Sequence, residues 1–137
     1  MNTSSEKKIK HLEFIQVVIN RLAQNSFMLK GWTVTLLAAI FVFANKSDNM
    51  DKAYLWIALV PILFFWSLDG YFLQQERLFR HLYNYVRSLQ EEDIDFSMRT
   101  DNFHVSESNL LGNCFSKSLA LFYLPIMAVV LIALSIF

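Results

Sequence analysis

The sequence predicts an all-α integral membrane protein with three transmembrane helices, the first two of which have long cytosolic extensions. The chain has 137 residues, of which 55% are hydrophobic and 15% aromatic, and one soluble domain of this size rarely buries so many apolar side chains. Three apolar segments are long enough to cross a hydrocarbon core of roughly 30 Å. Three glycines and two prolines leave little room for loops, which favours long helices.

The three predicted spans are residues 27–44, 53–73 and 118–137. Each is apolar over about the 20 residues that a helix needs to cross a bilayer. The polar segment 45–52 is too short to form anything but the loop between the first two spans, and we expect it to be external. The last span contains no charged side chain and ends at the carboxyl terminus.

Amphipathic segments precede the first span and follow the second. Residues 1–26 are predicted to form a cytosolic helix, and residues 74–117 a cytosolic helix and linker, with a short amphipathic piece at 109–115. We expect the two long helices to pair as a stalk. In the alternative interpretation the basic first helix lies flat on the membrane. The facing stripes are Leu12, Ile15, Ile19 and Leu22 on one helix, and Leu78, Leu82, Val86 and Leu89 on the other.

Basic residues predict the orientation. Most Lys and Arg side chains lie before the first span or between the second and third, and only Lys46 and Lys52 lie between the first two. The positive-inside rule therefore predicts a cytosolic amino terminus and an external carboxyl terminus. Trp32, Tyr71 and Tyr123 are expected near the cytosolic interface, although simple packing would explain them equally well.

Two charged residues lie inside the predicted spans. Lys30 is about one turn from the cytosolic end of the first span, and Asp69 is at the matching depth in the second. Because unpaired charges are costly in lipid, we expect an intramembrane ion pair between Lys30 and Asp69. In the alternative, Lys30 reaches the headgroups and Asp69 meets water or Arg77.

Small side chains recur at four-residue spacing in the first span. Gly31, Thr35 and Ala39 therefore share one helix face, which would let another helix approach closely. The sequence leaves open whether that helix belongs to the same chain or to another copy.

No residue set indicates catalysis. The histidines and the single cysteine, Cys114, have no companions at the spacing of a catalytic or metal motif, so neither enzyme activity nor a cofactor is expected. The formal net charge is zero, which gives no reason to expect a nucleic-acid partner. Arg77, Arg80 and Arg87 are expected on the stalk surface, where a soluble protein could dock.

Several short segments together are similar to those of a known group. The chain resembles small bacterial inner-membrane proteins without assigned activity, and this resemblance implies a bacterial origin but no catalytic or binding residues. The segments are Phe14-Ile15-Gln16, Asn25-Ser26-Phe27, Lys30-Gly31-Trp32, Leu68-Asp69-Gly70-Tyr71, Gln75-Glu76-Arg77 and Asp95-Phe96-Ser97-Met98.

Two classes of function fit these features. The first is a membrane-perturbing or channel-like effector, as in antiphage defence. A single copy has too few polar positions to line a water-filled path, so this effector must be a homo-oligomer, with Lys30, Thr33 and Thr35 as candidates to face the lumen. The second is a non-conducting anchor or accessory subunit that holds a soluble partner at the bilayer through its stalk.

Overall fold

The computed structural model describes residues 3–45, 52–103 and 109–136, and within them the chain forms helices and no strand. The predicted loop at 45–52 therefore lies largely outside the described residues. The described residues form four α-helices and two 3₁₀ turns, the latter at Glu91–Asp93 and Asp101–Phe103. The α-helices are α1 (Thr3–Ala44), α2 (Lys52–Ser88), α3 (Leu110–Cys114) and α4 (Lys117–Ile136).

Three of the helices, α1, α2 and α4, are long and apolar enough to cross a membrane. The prediction of an all-α chain with three helices of this kind is thereby confirmed. Only 22%, 28% and 17% of their most apolar windows are buried, so most of these side chains face outward. An outward apolar surface of this extent is what contact with lipid tails requires.

The two long helices are continuous across the predicted boundaries between span and extension. At about 1.5 Å per residue, the 42 residues of α1 extend for about 63 Å. Pro61 lies inside α2 without ending it. A proline removes one backbone hydrogen bond, and packing against neighbouring helices makes this tolerable in an apolar helix.

Helix α2 lies between α1 and α4 and packs against both. In the predicted spans, the buried core joins Leu37 of α1 to Ala58 and Ile62 of α2, and these to Leu119 and Val130 of α4. Side chains from all three helices therefore exclude solvent from one shared core. Such burial contributes roughly 1.5–3 kcal/mol for each large apolar side chain in water, but much less where lipid is the alternative surrounding.

We call the pairing of residues 3–24 of α1 with residues 74–88 of α2 the stalk. Ile15 and Ile19 are buried against Leu82 and Val86, members of the two stripes that the sequence predicts to face each other. Lys8 Nζ also donates to the Leu89 carbonyl at 2.7 Å. In the described structure α1 therefore packs along α2, as the stalk interpretation expects.

Residues 89–103, which follow α2, contribute side chains to the stalk core although the sequence predicts a linker there. Ile94 is 7% exposed and joins the stalk core, and Phe103 packs against the same core. The predicted amphipathic piece at 109–115 corresponds to α3, which is a single short helix. The segment has no helical periodicity because it contributes isolated apolar side chains to a core that other helices form.

Candidate functional site

Four polar side chains from three helices meet at the stalk end of the predicted spans, and we call them the polar cluster. Ser26 and Lys30 lie one turn apart on the same face of α1. Asp69 comes from α2 and Tyr123 from α4. The cluster is the point at which hydrogen bonds link all three long helices.

The Asp69 carboxylate is at the centre of this cluster. Its Oδ2 atom lies 2.5 Å from Lys30 Nζ and accepts a hydrogen bond from the Tyr123 hydroxyl at 3.1 Å. Its Oδ1 atom accepts a hydrogen bond from Ser26 Oγ. Lys30 Nζ also donates to Ser26 Oγ at 2.8 Å. Both carboxylate oxygens therefore have partners, which a buried anion requires.

Burial differs across the ion pair. Asp69 is 0% exposed, whereas the Lys30 side chain retains 19% of its accessibility. The Phe122 ring centroid lies 5.9 Å from Lys30 Nζ, within the range of a cation–π contact. Lys30 therefore points into the protein towards Asp69, and the structure places together the two charges that the sequence pairs.

The short helix α3 packs against α2 beside the polar cluster. Trp66 of α2 stacks on Tyr123 with ring centroids 5.8 Å apart and an angle of 6° between planes. Its indole Nε1 donates to the Cys114 carbonyl of α3 at 2.7 Å. Arg77 Nη1 donates to Asn113 Oδ1 at 2.5 Å. These contacts attach α3 to α2 directly beside the polar cluster.

Gly70 explains how α3 can come so close. A Cβ atom at Gly70 would collide with Cys114 Sγ. Trp66, Gly70 and Arg77 lie within about 40° of one another around α2, so one face of this helix holds α3. Burial, and secondarily the nearby Asp69 carboxylate, raises the pKa of the Cys114 thiol above its ordinary value.

Two span residues that are expected at a lumen or at a membrane interface are buried in the described structure. Thr33 is 0% exposed and donates its hydroxyl to the Leu29 carbonyl at 2.7 Å, so it faces the interior of the single chain. Its place at the lumen of an oligomer stays a prediction. Thr35 lies two residues on, on the opposite side of α1, and is exposed. Tyr123 is also 0% exposed and belongs to the polar cluster, which agrees with the packing alternative for this aromatic side chain.

The predicted small-residue face points away from the rest of the described chain. Gly31, Thr35 and Ala39 are all exposed, and a Cβ atom at Gly31 would meet nothing within 4 Å. The Thr35 hydroxyl donates to the Gly31 carbonyl at 2.9 Å, which satisfies it within the helix. No described helix of the same chain therefore covers this face.

The three arginines predicted on the stalk surface have different surroundings. Arg80 is exposed and pairs with Glu76 one turn earlier at 2.7 Å. Arg87 is exposed, and its carbonyl accepts from Lys8 Nζ at 3.3 Å. Arg77 instead faces Asn113 of α3 and is only partly exposed, which corrects its assignment to the free stalk surface.

Sequence reasoning missed Ser26, Trp66 and Tyr123. Ser26 precedes Lys30 by four residues, a spacing that places both on one helix face and was an available signal. The tyrosine and tryptophan gave no such signal, because aromatic residues are common at lipid boundaries and in cores alike. Their roles depend on how α4 packs, which local sequence does not determine.

Comparison with known proteins does not place the chain in a family. No family model matches the chain, and neither a curated protein nor a solved structure does so. A function for this chain must therefore be inferred from its own residues, and the resemblance to small bacterial inner-membrane proteins stays a prediction.

Proposed function

We propose that the chain is a homo-oligomeric, channel-like effector that perturbs the bacterial inner membrane, as in antiphage defence. The observation that carries this proposal is the polar cluster. The groups best suited to contact water or ions in the spans, Lys30 and Asp69, are paired with each other and turned inward. We interpret this arrangement as the closed state of a membrane-perturbing protein.

Opening would separate the three helices at the cluster. The Lys30 ammonium, the Asp69 carboxylate and the Tyr123 hydroxyl would then lose their partners and need water or another protein group. Several copies opening together would bring enough polar groups to one place to hydrate a path. One copy alone could not do so, so the mechanism requires self-association.

The small-residue face supports self-association. Gly31, Thr35 and Ala39 are exposed on a span where close helix approach stabilises packing in lipid. Lipid tails pack only loosely against such a flat surface, whereas a second helix can make close van der Waals contact with it. We assign this face to contact between copies.

A membrane-potential dye tests the proposal in a bacterial host at graded levels of induction. The wild-type chain should depolarise cells, and Gly31→Leu should reduce depolarisation by at least tenfold at matched protein level. Tyr123→Phe, which weakens the cluster, should lower the protein level at which depolarisation begins. Ser67→Ala is the matched control, because Ser67 is exposed and its hydroxyl bonds only to the Leu63 carbonyl of its own helix.

The effector proposal would be refuted if the wild-type chain reached the membrane but gave the same dye signal as an empty vector. That outcome would favour the second candidate, a non-conducting anchor for a soluble partner. Its support is the exposure of Phe14 and Val17, at 58% and 62%, on the part of α1 that lies before the predicted span. Exposed apolar side chains in water often mark a docking surface.

The proposed orientation has the amino terminus and the stalk in the cytosol and the carboxyl terminus outside. The support is the concentration of Lys and Arg at the stalk end of the spans. Thiol labelling of intact cells by a membrane-impermeant reagent tests it. In a Cys114→Ala background, Ser135→Cys should label from outside, and Ser5→Cys only after the membrane is opened.

A further inference from the structure

An apolar groove lies on the stalk between α1 and the segment that follows α2. Phe14 and Val17 form one wall, and Phe96 and Met98, from the segment after α2, form the other. The groove has a volume of about 760 Å³. All four side chains are exposed, by 58%, 62%, 46% and 38% respectively.

Lipid cannot cover this groove if the spans are where the sequence places them. Val17 precedes Phe27, the first residue of the predicted first span, by ten residues, or about 15 Å of helix. The groove therefore faces water. Apolar surface of this kind in water marks a contact with another molecule.

The groove and the small-residue face lie on the same side of α1, with exposed Arg21, Gln24 and Met28 between them. Val17 and Thr35 are separated by eighteen residues, which is five full turns at about 3.6 residues per turn, so they point in the same direction. Gly31 and Ala39 lie one turn before and one turn after Thr35. A partner that covers both surfaces must extend from water into the membrane, which a second copy of this chain does and a soluble protein does not.

A second surface of the stalk complements the groove in charge. Tyr85 is 52% exposed, beside a polar hollow of about 210 Å³ that Asp95, Asp101 and Arg99 also line. The groove ends at Lys7 and Lys10. The hollow therefore has two carboxylates against one guanidinium. Lys10 pairs with Glu13 on its own helix at 3.7 Å, so the positive excess at the groove comes from Lys7.

The two surfaces also lie at the same level of the stalk. Ile15 and Ile19 pack against Leu82 and Val86 in one core, so Phe14 and Val17 are level with Tyr85. Parallel copies in one membrane can therefore bring these surfaces together without a vertical shift. The surfaces differ, so the resulting contact would be heterologous and could close into a ring.

We propose that the groove of one copy binds the surface of the next copy that carries Tyr85 and the polar hollow beside it. In this contact Lys7 and Lys10 lie opposite Asp95 and Asp101. This inference deepens the proposed function, since it depends on the self-association stated there. Tyrosine suits such an anchor because it buries a large ring at a low entropic cost. The charges set the direction of the contact and exclude a like-with-like pairing of two grooves.

Thiol cross-linking of the full-length chain in membranes tests the geometry. All variants carry Cys114→Ala, and a short bis-maleimide is the probe. Lys10→Cys mixed with Asp101→Cys in one membrane should give a cross-linked dimer. Either variant alone should give at least tenfold less. Lys10→Cys mixed with Lys117→Cys is the control, because Lys117 lies at the start of α4 and should give no dimer.

Charge reversal provides a second, independent test of the same contact. Lys7→Glu with Lys10→Glu should lower the fraction of oligomer at least tenfold, as measured by the mass of the detergent-solubilised protein. Adding Asp95→Lys with Asp101→Lys should restore that fraction. An oligomer of unchanged mass with no Lys10–Asp101 cross-link, or cross-linking of Lys10→Cys to itself, would overturn this interface. The small-residue face would then be the remaining support for self-association of the effector. A monomeric wild-type chain would overturn both proposals.

Discussion

Lys30 on α1 and Asp69 on α2 lie 39 residues apart in the chain and meet with 2.5 Å between Nζ and Oδ2. The surrounding apolar contacts are non-directional and would tolerate a slip between the helices. A slip of one turn, about 5.4 Å, would break this ion pair and leave a charge unpaired in an apolar setting. The pair therefore fixes the register of α1 against α2 more strictly than the core around it does.

Breaking this pair from one side should destabilise the fold. Asp69→Asn leaves the Lys30 ammonium without its anion, and removal of one partner from a fully buried pair costs about 3–5 kcal/mol. Because Lys30 keeps 19% of its accessibility, we expect about 2 kcal/mol here. Thermal unfolding in detergent, followed by tryptophan fluorescence, measures the loss.

The double variant separates charge from packing. Asp69→Asn with Lys30→Met leaves no unpaired charge, and the Asn carbonyl oxygen can still accept a hydrogen bond from Ser26 or Tyr123. It should recover most of the stability that Asp69→Asn loses, and exchanging the two charges should also restore part of it. Additive losses in the double variant would contradict a direct pair.

The Tyr123 hydroxyl should contribute separately from its ring. Tyr123→Phe removes the hydrogen bond to Asp69 Oδ2 and a longer one to the Phe65 carbonyl at 3.4 Å, but keeps the stacking on Trp66. A hydrogen bond to a charged group contributes about 1.5–3 kcal/mol, and we expect the lower end because Lys30 still satisfies the same oxygen. Tyr71→Phe is the matched control, since Tyr71 is 47% exposed and should tolerate the change. Equal unfolding midpoints for the two variants would exclude a stabilising role for this hydroxyl.

The sequence predicted the helices and the approach of Lys30 to Asp69 because both follow from strong physical constraints. A charge in an apolar span has few acceptable partners, and matching depths on adjacent helices indicate one. The burial of Thr33 could not be predicted, because a hydroxyl that bonds to its own helix carries no information about which side faces a neighbour. The place of Tyr123 depended on the packing of α4, which has no distinguishing pattern in a uniformly apolar segment.

The Cys114 thiol should react slowly with maleimides. Thiolate is the reactive form, and burial, helped by the Asp69 charge, raises the pKa of this thiol. At a given pH below that pKa a smaller fraction is ionised, so the midpoint of the rate against pH should lie above that of a small free thiol. Stopped-flow labelling of the detergent-solubilised protein between pH 7 and pH 10, a range chosen to bracket ordinary thiol ionisation at about pH 8.5, gives this midpoint.

Asp69→Asn distinguishes charge from exposure at Cys114. Removal of the carboxylate should move the labelling midpoint to lower pH while the rate at high pH stays the same, because only the ionisation changes. A higher rate at every pH without a shift in midpoint would instead mean that α3 has detached and exposed the thiol. That result would contradict an electrostatic effect of Asp69 on Cys114.

Two glycines in the predicted spans should respond oppositely to alanine. Gly70→Ala places a methyl group against Cys114 Sγ, and overpacking of this kind typically costs about 1–3 kcal/mol. Gly31→Ala meets nothing within 4 Å, and alanine favours a helix over glycine by about 1 kcal/mol, so the isolated fold should gain stability. Unfolding of the monomeric protein in detergent compares the two.

The cysteine provides the rescue that identifies the clash. Cys114→Ala removes the sulfur that the new methyl group meets, so Gly70→Ala with Cys114→Ala should recover much of the lost stability. If the double variant is as unstable as Gly70→Ala alone, the cost must come from somewhere other than the α2–α3 contact. Because the same substitution is harmless at Gly31, a general intolerance of these helices to alanine could not explain a loss confined to Gly70.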